Sequence, residues 1–336
     1  MIKNVVFSRL PILHAKTRQH PTVDARPVLE VWLNVEGDTL ITFTNHWKSG
    51  ASDPRQEATR LQNARVLRER VDALLGERPS RDILIAGDLN SDYNQIERYT
   101  AMSQTGINTI LRAVGDEEAV ARSTRGDMYN LWYELPASER RSDQYQGYWG
   151  TLMHLIISPG LYDDQGLRYL DQSFSVGAFP GLNANRFTLQ PIRWSSAAGG
   201  MGFSDHFPLA MRVTKSQKGQ ALTLRNPGTP NSSWKPLRVE AVRPPDDQLL
   251  KWDSNRSASY LTPEYYDVFF RVSGTLNTNG SLKVGAIDMD LYSPAFNIKQ
   301  ALEAEIKANA SITFVGRLSN FRNRWQFIID DRSFIQ

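Results

Sequence analysis

Cysteine is absent from the 336 residues of this chain. Its absence excludes disulfides, cysteine-ligated zinc, iron–sulfur clusters and thiol nucleophiles. It leaves the cellular compartment open, because a cysteine-free chain tolerates both oxidising and reducing surroundings. Long apolar runs are missing as well, and none approaches the ~18 residues that a membrane-spanning helix needs. A membrane-spanning protein is therefore not expected.

A strong charge of one sign is also missing, since 39 Lys and Arg stand against 36 Asp and Glu, for a net charge of +3. The small basic surplus lies in residues 215–336, which carry 16 Lys and Arg against 12 Asp and Glu. Such a surplus fits either contact with nucleic acid or an ordinary solvated surface. With 40% hydrophobic and 10% aromatic residues, the chain is well supplied for a packed core, which excludes a wholly disordered protein.

Strand and helix patterns alternate over the first 214 residues. Apolar runs predict strands over 5–7, 26–35, 39–45, 82–86, 152–158 and 207–213. Leu61, Ala64, Leu67 and Val71 recur at helical spacing and predict a helix over 56–75. The alternation indicates an α/β domain over residues 1–214, with layers packed around buried sheets.

The rest of the chain has a different composition. Residues 215–235 are rich in Gly, Pro, Ser, Asn and Gln and predict a linker. Residues 236–336 predict a small OB-like β-barrel, with strands over 265–277 and 282–291, a helix over 298–309 and a hairpin over 311–330. The expected core residues of this barrel are Phe269, Val272, Ile287, Ile306, Phe314, Val315 and Phe327.

The closing hairpin of the predicted barrel combines basic and aromatic residues, namely Arg317, Phe321, Arg322, Arg324 and Trp325. Two interpretations are open. The residues either present a stacking and phosphate-contact surface for single strands, or they decorate a hairpin with ion pairs while the tryptophan packs inward.

Four short polar segments stand at the edges of predicted strands: 45–50 (NHWKSG), 87–91 (GDLNS), 153–158 (MHLIIS) and 204–209 (SDHFPL). In layered α/β folds, ligands are held at strand ends. Taken singly, each has a structural explanation: a hydrogen-bonded His46, an ordinary Asx-turn, a buried and paired His154, or a surface turn. Taken together, they supply imidazole, carboxylate and amide groups, which hold a divalent metal and stabilise charge on phosphate.

In their order and spacing, these segments resemble the endonuclease/exonuclease/phosphatase superfamily, which includes pancreatic deoxyribonuclease, abasic-site endonucleases, inositol polyphosphate phosphatases and bacterial sphingomyelinases. The resemblance covers roughly residues 5–213 and includes VVFSRLPI at 5–12. The NHWKSG form and the passage 130–152 look most like bacterial, often secreted, nuclease-type members. The resemblance implies a deoxyribonuclease-I-like fold, in which a layered β-sandwich is flanked by helices.

The resemblance also implies roles for single residues. His46 would bind and polarise the scissile phosphate. Asp88 would orient and deprotonate the attacking water, and Asn90 would hold this water and the phosphate in place. These roles agree with the chemistry, because phosphodiester cleavage needs an in-line water, a base and positive charge on the non-bridging oxygens.

Three further residues receive roles in the same way. Asp205 would contribute to a site for Mg²⁺ or Mn²⁺, His206 would lie against the phosphate as a charged donor, and Arg26 would contact a backbone phosphate. Met153 departs from the family pattern, because this position usually carries an aspartate that pairs with the final histidine. We therefore expect His206 to lack that partner, unless it pairs with Asp205 or a backbone carbonyl.

A second departure concerns the start of the chain. The family's first strands carry an Asn and a Glu of the metal site, and seven residues before Ser8 leave no room for them. We expect weak or absent activity from the chain as written, and a partner chain or self-association that covers the incomplete sheet.

The function expected from the resemblance is metal-dependent hydrolysis of the nucleic-acid backbone, of DNA in preference to RNA. The alternatives are a phosphatase or phospholipase of the same superfamily, or a catalytically degraded scaffold that binds nucleic acid or a protein. The resemblance leans towards a secreted or periplasmic protein, although the first residues carry no signal-peptide pattern.

Overall fold

The structure is a computed structural model that describes residues 3–195, 200, 202–219 and 237–336. Contacts divide the chain into two compact units, which are interleaved along the sequence. The first comprises Met1–Ser142, Gly150–Gly177 and Pro208–Pro236, and the second comprises Asp143–Trp149, Ala178–Phe207 and Leu237–Gln336. Most of the predicted linker, residues 220–235, lies outside the described residues. Within the described ranges, none of the helices combines the length and hydropathy needed to cross a membrane.

The strands up to residue 215 are β1 (Arg18–His20), β2 (Val28–Val35), β3 (Asp38–His46), β4 (Asp82–Asp88), β5 (Ala113–Val114), β6 (Met128–Asn130), β7 (Asp143–Tyr145), β8 (Tyr148–Gly150), β9 (Met153–Ile157), β10 (Leu167–Tyr169), β11 (Ser175–Val176), β12 (Leu209–Ala210) and β13 (Val213–Lys215). The α-helices are α1 (Pro54–Glu77), α2 (Gln95–Arg98), α3 (Glu117–Ala121), α4 (Ile298–Ala301) and α5 (Glu303–Lys307). Short 3₁₀ turns join several of these elements, and Gly106–Ile110 forms one π-helical turn.

One mixed sheet of seven strands dominates the first unit, in the order β1-β2-β3-β4-β9-β6-β5. The β3–β4 and β5–β6 pairs are parallel and the others are antiparallel. The short pairs β10–β13 and β11–β12 form a second layer. This is the layered sandwich with flanking helices that the sequence predicts.

Both faces of the large sheet are buried, and alternate residues of its strands enter opposite cores. Ile41 and Phe43 of β3 pack against α1, whose buried face is Ala64, Leu67, Val71 and Leu74. Leu40 of the same strand enters the other core, beneath the second layer. The long helix begins where the Asp53 side chain accepts a hydrogen bond from the Arg55 N–H at 2.9 Å.

Two predicted strands of the first unit differ in the structure. Residues 5–7 form no strand, and the side chains of Val5 and Phe7 are exposed, so the prediction of a core strand there is wrong. The predicted strand over 207–213 is divided into β12 and β13, which pair with β11 and β10 respectively. In both cases the apolar run is short, and a run of this length does not show which distant segments it packs against.

The second unit contains the strands β14 (Leu250–Lys251), β15 (Phe269–Leu276), β16 (Leu282–Val284), β17 (Ile287–Tyr292), β18 (Ser311–Phe321) and β19 (Arg324–Ile328). The strands β15-β16-β17-β19-β18 follow one another in hydrogen-bonded order, and pairing of β15 with β18 closes them into a barrel. The β17–β19 pair is parallel, and α4 and α5 lie between β17 and β18 in the chain. This is an OB-like barrel, as predicted.

The core of the barrel confirms the predicted residues. Five of them are buried, while Ile287 and Ile306 pack against the core from its margin. The predicted strand over 282–291 is instead a tight hairpin, because Gly285 has a φ of +66° and a Cβ there would lie 2.1 Å from the Ser254 carbonyl oxygen. The predicted helix over 298–309 is divided at Leu302, where the backbone leaves helical geometry.

The structure supports the ion-pair interpretation for three residues of the closing hairpin, Arg317, Arg324 and Trp325. Arg317 is buried. It donates from Nη1 to Asp267 Oδ1 at 2.5 Å and from Nε to Asp330 Oδ2 at 2.9 Å. Burial opposes the charge of this guanidinium, yet the two carboxylates raise the pKa of Arg317. Arg324 pairs with Asp290 at 2.8 Å, and Trp325 packs against the core. Arg317 is therefore not a phosphate contact.

Candidate functional site

Three residues of the first unit stand side by side at one edge of the large sheet. His46 ends β3, Asp88 ends β4 and Met153 begins β9, and the strand register places them in one row. Paired residues of neighbouring strands direct their side chains to the same face. The His46 Nε2 lies 3.4 Å from Asp88 Oδ2, with the imidazole one-third exposed and the carboxylate nearly buried. This row therefore presents an imidazole and a carboxylate together.

The loop after β4 adds an amide to this pair. The Asp88 Oδ1 accepts the Asn90 N–H at 2.8 Å, and Asn90 is held in the left-handed region with φ of +46°. The Asn90 Nδ2 donates to the Trp47 carbonyl at 3.1 Å, which fixes the amide and leaves Oδ1 as its acceptor. Asn90 is buried, so its amide is positioned by the fold rather than by solvent.

A glycine allows the row to form. Gly87 has a φ of +121°, and a Cβ at this position would lie 2.2 Å from the Asn45 carbonyl oxygen. No side chain fits there, so β4 approaches β3 closely one residue before Asp88. The glycine in GDLN is therefore required for the backbone that places the aspartate.

A buried arginine of α1 holds the loop after β3. Arg60 donates to the carbonyls of Lys48, Gly50 and Ala51 at 3.0–3.1 Å. Its charge is balanced by Glu57, whose Oε2 lies 2.7 Å from Arg60 Nη2. The loop that follows His46 is thus tied to the helix behind the sheet. The sequence analysis missed this role, because a charged residue on a helix gives no sign of burial.

The aspartate that directly follows the GDLNS segment was also missed as a contributor. Asp92 is buried, its Oδ1 accepts the Thr151 N–H at 2.9 Å and it pairs with Arg98 at 2.7 Å. These bonds join the loop after β4 to the chain that leads into β9. Asp92 therefore positions the loop, and its signal in the sequence was its place directly after the GDLNS segment.

His154, one residue beyond the row, is a structural histidine. Its ring is buried, Nε2 donates to the Ser91 carbonyl at 2.8 Å, and Nδ1 lies 3.2 Å from Asn130 Nδ2. Burial lowers the pKa of His154 to about 4, so the ring is neutral near neutral pH. The structure confirms that this histidine is buried and paired.

Arg26 is adjacent to the row through its backbone. Its N–H donates to the His46 carbonyl at 3.4 Å, and its carbonyl accepts the Thr22 hydroxyl at 2.9 Å. The side chain is half-buried. The phosphate contact predicted for Arg26 stays a prediction.

Asp205 and His206 belong to the second unit, whereas His46, Asp88 and Asn90 belong to the first. Within the second unit, Asp205 Oδ1 lies 3.9 Å from His206 Nε2, and His206 forms a backbone bridge with Asp143. This distance is within ion-pair range but is too long for a hydrogen bond, so the pairing of His206 with Asp205 stays a prediction. That all five residues converge on one cleft stays a prediction.

The oxygen atoms of Asp88, in the row, and of Asn90, in the loop after β4, fit a divalent cation of the Mg²⁺ type. Such an ion takes hard oxygen ligands and is commonly held by one or two carboxylates with waters and substrate phosphate. Asp88 offers a carboxylate and Asn90 an amide oxygen, while the Met153 thioether is a poor ligand for this ion. The first unit thus supplies a small oxygen donor set rather than a closed cage.

A separate group of three carboxylates in the described residues is close enough together to share a cation, namely Glu117, Glu134 and Asp171. Tyr162 and Tyr169 donate their hydroxyls to Glu117 and Glu134 at 2.8 and 3.0 Å. Burial raises the pKa of Glu134 to about 7. These hydrogen bonds give Glu117 and Glu134 partners within the fold, and the cluster includes none of the residues of the row.

Comparison with known proteins gives one family match. The model described as "Endonuclease/Exonuclease/phosphatase family" matches residues 4–215. No curated protein matches the chain. Among solved structures, D. rerio TDP2 humanized by 14 mutations and D. rerio TDP2 complexed with single strand DNA product are similar, each at 12% identity and a TM-score of 0.39. They cover 62% of this chain and 68% and 69% of their own chains.

An endonuclease/exonuclease/phosphatase family protein from Bacteroides thetaiotaomicron is also similar, at 13% identity and a TM-score of 0.33, over 62% of this chain and 66% of that one. These likenesses are weak. The family match, in contrast, covers well over half of the chain and spans all four polar segments. The chain belongs to the endonuclease/exonuclease/phosphatase family, whose enzymes are hydrolases of phosphate esters.

Proposed function

We propose that this protein hydrolyses the phosphodiester backbone of nucleic acid, of DNA in preference to RNA. The observation that carries the proposal is the in-register pair of His46 and Asp88, with their side chains 3.4 Å apart and Asn90 fixed beside them. A positioned carboxylate and imidazole are the groups that transfer protons and bind a phosphoryl oxygen in such a reaction.

In the proposed reaction, Asp88 accepts a proton from the water that attacks phosphorus. His46 donates a hydrogen bond to a non-bridging oxygen, where negative charge increases as the water adds. Asn90 directs its Oδ1 to the water and so orients it. The leaving group is the sugar oxygen, which departs from phosphorus as the new P–O bond forms.

Asp88, Asn90 and Asp205 are the residues proposed to hold Mg²⁺ or Mn²⁺. When bound, such an ion neutralises charge on the phosphate and acts as a Lewis acid. Arg26 is proposed to contact a neighbouring phosphate, and His206 to donate to the scissile one.

Because weak turnover is expected of this chain, the test is the nicking of supercoiled plasmid by a high concentration of the purified chain with Mg²⁺, and with EDTA as the control. His46→Ala and Asp88→Asn are expected to lower the rate by about 10²–10⁴, the usual contribution of a positioned acid or base. His14→Ala is the matched control, because His14 is an exposed histidine in a 3₁₀ turn outside the row. Equal rates in all variants would refute the assignment.

Substrate class is tested by comparing DNA, RNA, inositol phosphates and sphingomyelin at equal enzyme concentration. Cleavage of DNA above the others supports the proposal. A preference for inositol phosphates or sphingomyelin would assign the row to a phosphatase or a phospholipase instead. Binding of DNA without cleavage would indicate a scaffold.

A further inference from the structure

A cavity of about 710 Å³ lies within the second unit. Its lining includes five aromatic side chains that are 43–64% exposed, namely Tyr145, Trp194, Phe203, Tyr292 and Phe321. They come from three parts of the chain: the β7–β8 hairpin, the segment 178–207 and the barrel. Exposed aromatic rings gathered around one cavity mark a binding site, because each ring presents an apolar face to solvent.

Two buried amides on the same lining have polar atoms without a hydrogen-bond partner in the described residues. They are Gln144 Nε2, a donor, and Asn320 Oδ1, an acceptor. Both residues are 8% exposed, so neither atom is satisfied by bulk solvent. Buried polar groups are normally paired with protein or ordered water, so these two atoms are available to bond a ligand that enters the cavity. A nucleobase edge carries both kinds of group.

Cations complete the lining. Arg193 and Arg322 are exposed, and the Arg322 guanidinium lies 5.1 Å from the Phe321 ring centroid. Arg317 also lines the cavity, but its charge is already neutralised by Asp267 and Asp330. One exposed carboxylate, Asp205, also lines the cavity. The exposed lining therefore has a small positive balance beside its aromatic faces.

We propose that this cavity binds a single-stranded segment of nucleic acid. The bases stack on the exposed aromatic rings, one base edge bonds to Gln144 and Asn320, and Arg193 and Arg322 contact backbone phosphates. Separated rings require unstacked bases, which a single strand offers and a duplex does not. Neutral sugars also stack on aromatic rings, but they gain nothing from the two arginines. The choice of nucleic acid as ligand class rests on the proposed function.

The first test measures the affinity of the full chain for a fluorescent single strand of about ten thymidines, within the usual site size. EDTA is present so that cleavage does not contribute. Trp194→Ala and Phe321→Ala are each expected to weaken binding roughly tenfold, and Trp194→Phe to retain most of the affinity. Phe179→Ala is the control, because Phe179 is an exposed aromatic of the same unit outside the cavity. Equal affinity of all four variants would overturn the proposal.

The second test concerns the two amides. Gln144→Met and Asn320→Leu remove the unpartnered atoms while nearly preserving side-chain volume. If these atoms serve a ligand, both variants bind the single strand roughly fivefold to tenfold less tightly while their thermal midpoint stays equal or rises. A lower midpoint with unchanged affinity would assign the amides to the fold and overturn their role in binding.

Competition identifies the occupant. An unlabelled single strand is expected to displace the probe, whereas a DNA duplex and a neutral glucose oligosaccharide are not. Displacement by the oligosaccharide would make the cavity a sugar site and overturn the proposal. Plasmid cleavage is measured separately. If the chain binds the strand without cleaving DNA, only the proposed function is rejected. If the chain cleaves DNA and Trp194→Ala binds the strand as tightly as the wild type, only this site is rejected.

Discussion

At the scale of single residues, two histidines of the same sheet have opposite surroundings. His46 is one-third exposed and faces a carboxylate, whereas His154 is buried between a carbonyl and an amide. Both follow the same local pattern, an imidazole next to apolar strand residues. The difference arises from partners that are distant in the sequence, Asp88 for the first and Ser91 and Asn130 for the second.

The buried imidazole predicts an acid-sensitive fold. The pKa of His154 is lowered to about 4 by burial, against 6.5 for the exposed ring of the unfolded chain. Because the folded pKa is depressed, the unfolded state binds more protons through this group between these values, so the stability contributed by His154 falls as pH drops from 6.5 to 4. The slope from this group approaches about 1.4 kcal/mol per pH unit.

The measurement is the free energy of unfolding by urea at several pH values. His154→Gln should lose this part of the pH dependence, although it is less stable at neutral pH. His14→Gln, at an exposed position, should keep the wild-type slope. A wild-type slope in His154→Gln would show that other groups cause the acid sensitivity.

Met153 gives a second prediction at this scale. Its register with Asp88 means that Met153→Asp adds a carboxylate on the same face beside an existing one. Without metal, the like charges destabilise the fold; with Mg²⁺, two carboxylates bind the ion more tightly. We expect the Mg²⁺ concentration for half-maximal cleavage to fall roughly tenfold, or by about 1.4 kcal/mol of binding free energy.

The control for Met153→Asp is Met153→Asn, which adds an oxygen without charge. Thermal unfolding in a Mg²⁺ titration provides a readout that does not need turnover. The midpoint of the aspartate variant should rise further with Mg²⁺ than that of the asparagine variant. The same response in both would argue against a cation at this row.

At the scale of elements, the sequence predicts those helices and strands that apolar periodicity and capping residues determine. The strands β2, β3, β4 and β9, the helix α1 and the barrel order all follow from apolar spacing, and their ends placed His46 and Asp88 correctly. Residues 5–7 and the break at Gly285 were not predictable, because burial and close approach depend on distant segments. For the same reason, periodicity did not show that 143–149 and 178–207 pack in the second unit.

The close approach of β3 and β4 leads to a prediction about Gly87. Gly87→Ala meets the Asn45 carbonyl at 2.2 Å, whereas Gly37→Ala, in the β2–β3 turn, meets nothing within 4 Å. Both have positive φ, so each alanine costs about 1–2 kcal/mol of backbone strain. For Gly87→Ala we expect the free energy of unfolding to fall by roughly 1–3 kcal/mol more, because the strands must move apart.

Urea unfolding of the two glycine variants measures this difference directly. Cleavage is expected to fall much more in Gly87→Ala, because Asp88 is the next residue. Similar free energies of unfolding for both variants would mean that β3 and β4 are farther apart than the structure has them.

At the scale of the whole molecule, the second unit is assembled from chain segments that are far apart. Trp149 N–H donates to the Leu237 carbonyl at 2.8 Å, and Asn185 Nδ2 donates to Asp267 Oδ2 at 2.6 Å. The rings of Phe187 and Phe269 meet edge to face at 5.6 Å. Residues 237–336 thus contact two earlier segments of the chain, and a linear division at residues 215–235 does not include these contacts.

This organisation predicts that the chain reassembles when it is divided. Residues 1–219 and 237–336, expressed together as separate chains, should purify as one complex, because the contacts of 143–149 and 178–207 with the barrel need no covalent link. Phe187→Ala with Asn185→Ala is expected to weaken the complex at least roughly tenfold, since a partly buried aromatic contact and a partly buried hydrogen bond are lost. Phe179→Ala, an exposed aromatic of the same segment, should leave it intact. Two pieces that elute separately, each folded, would instead make 237–336 a self-sufficient domain and the contacts of the earlier segments dispensable.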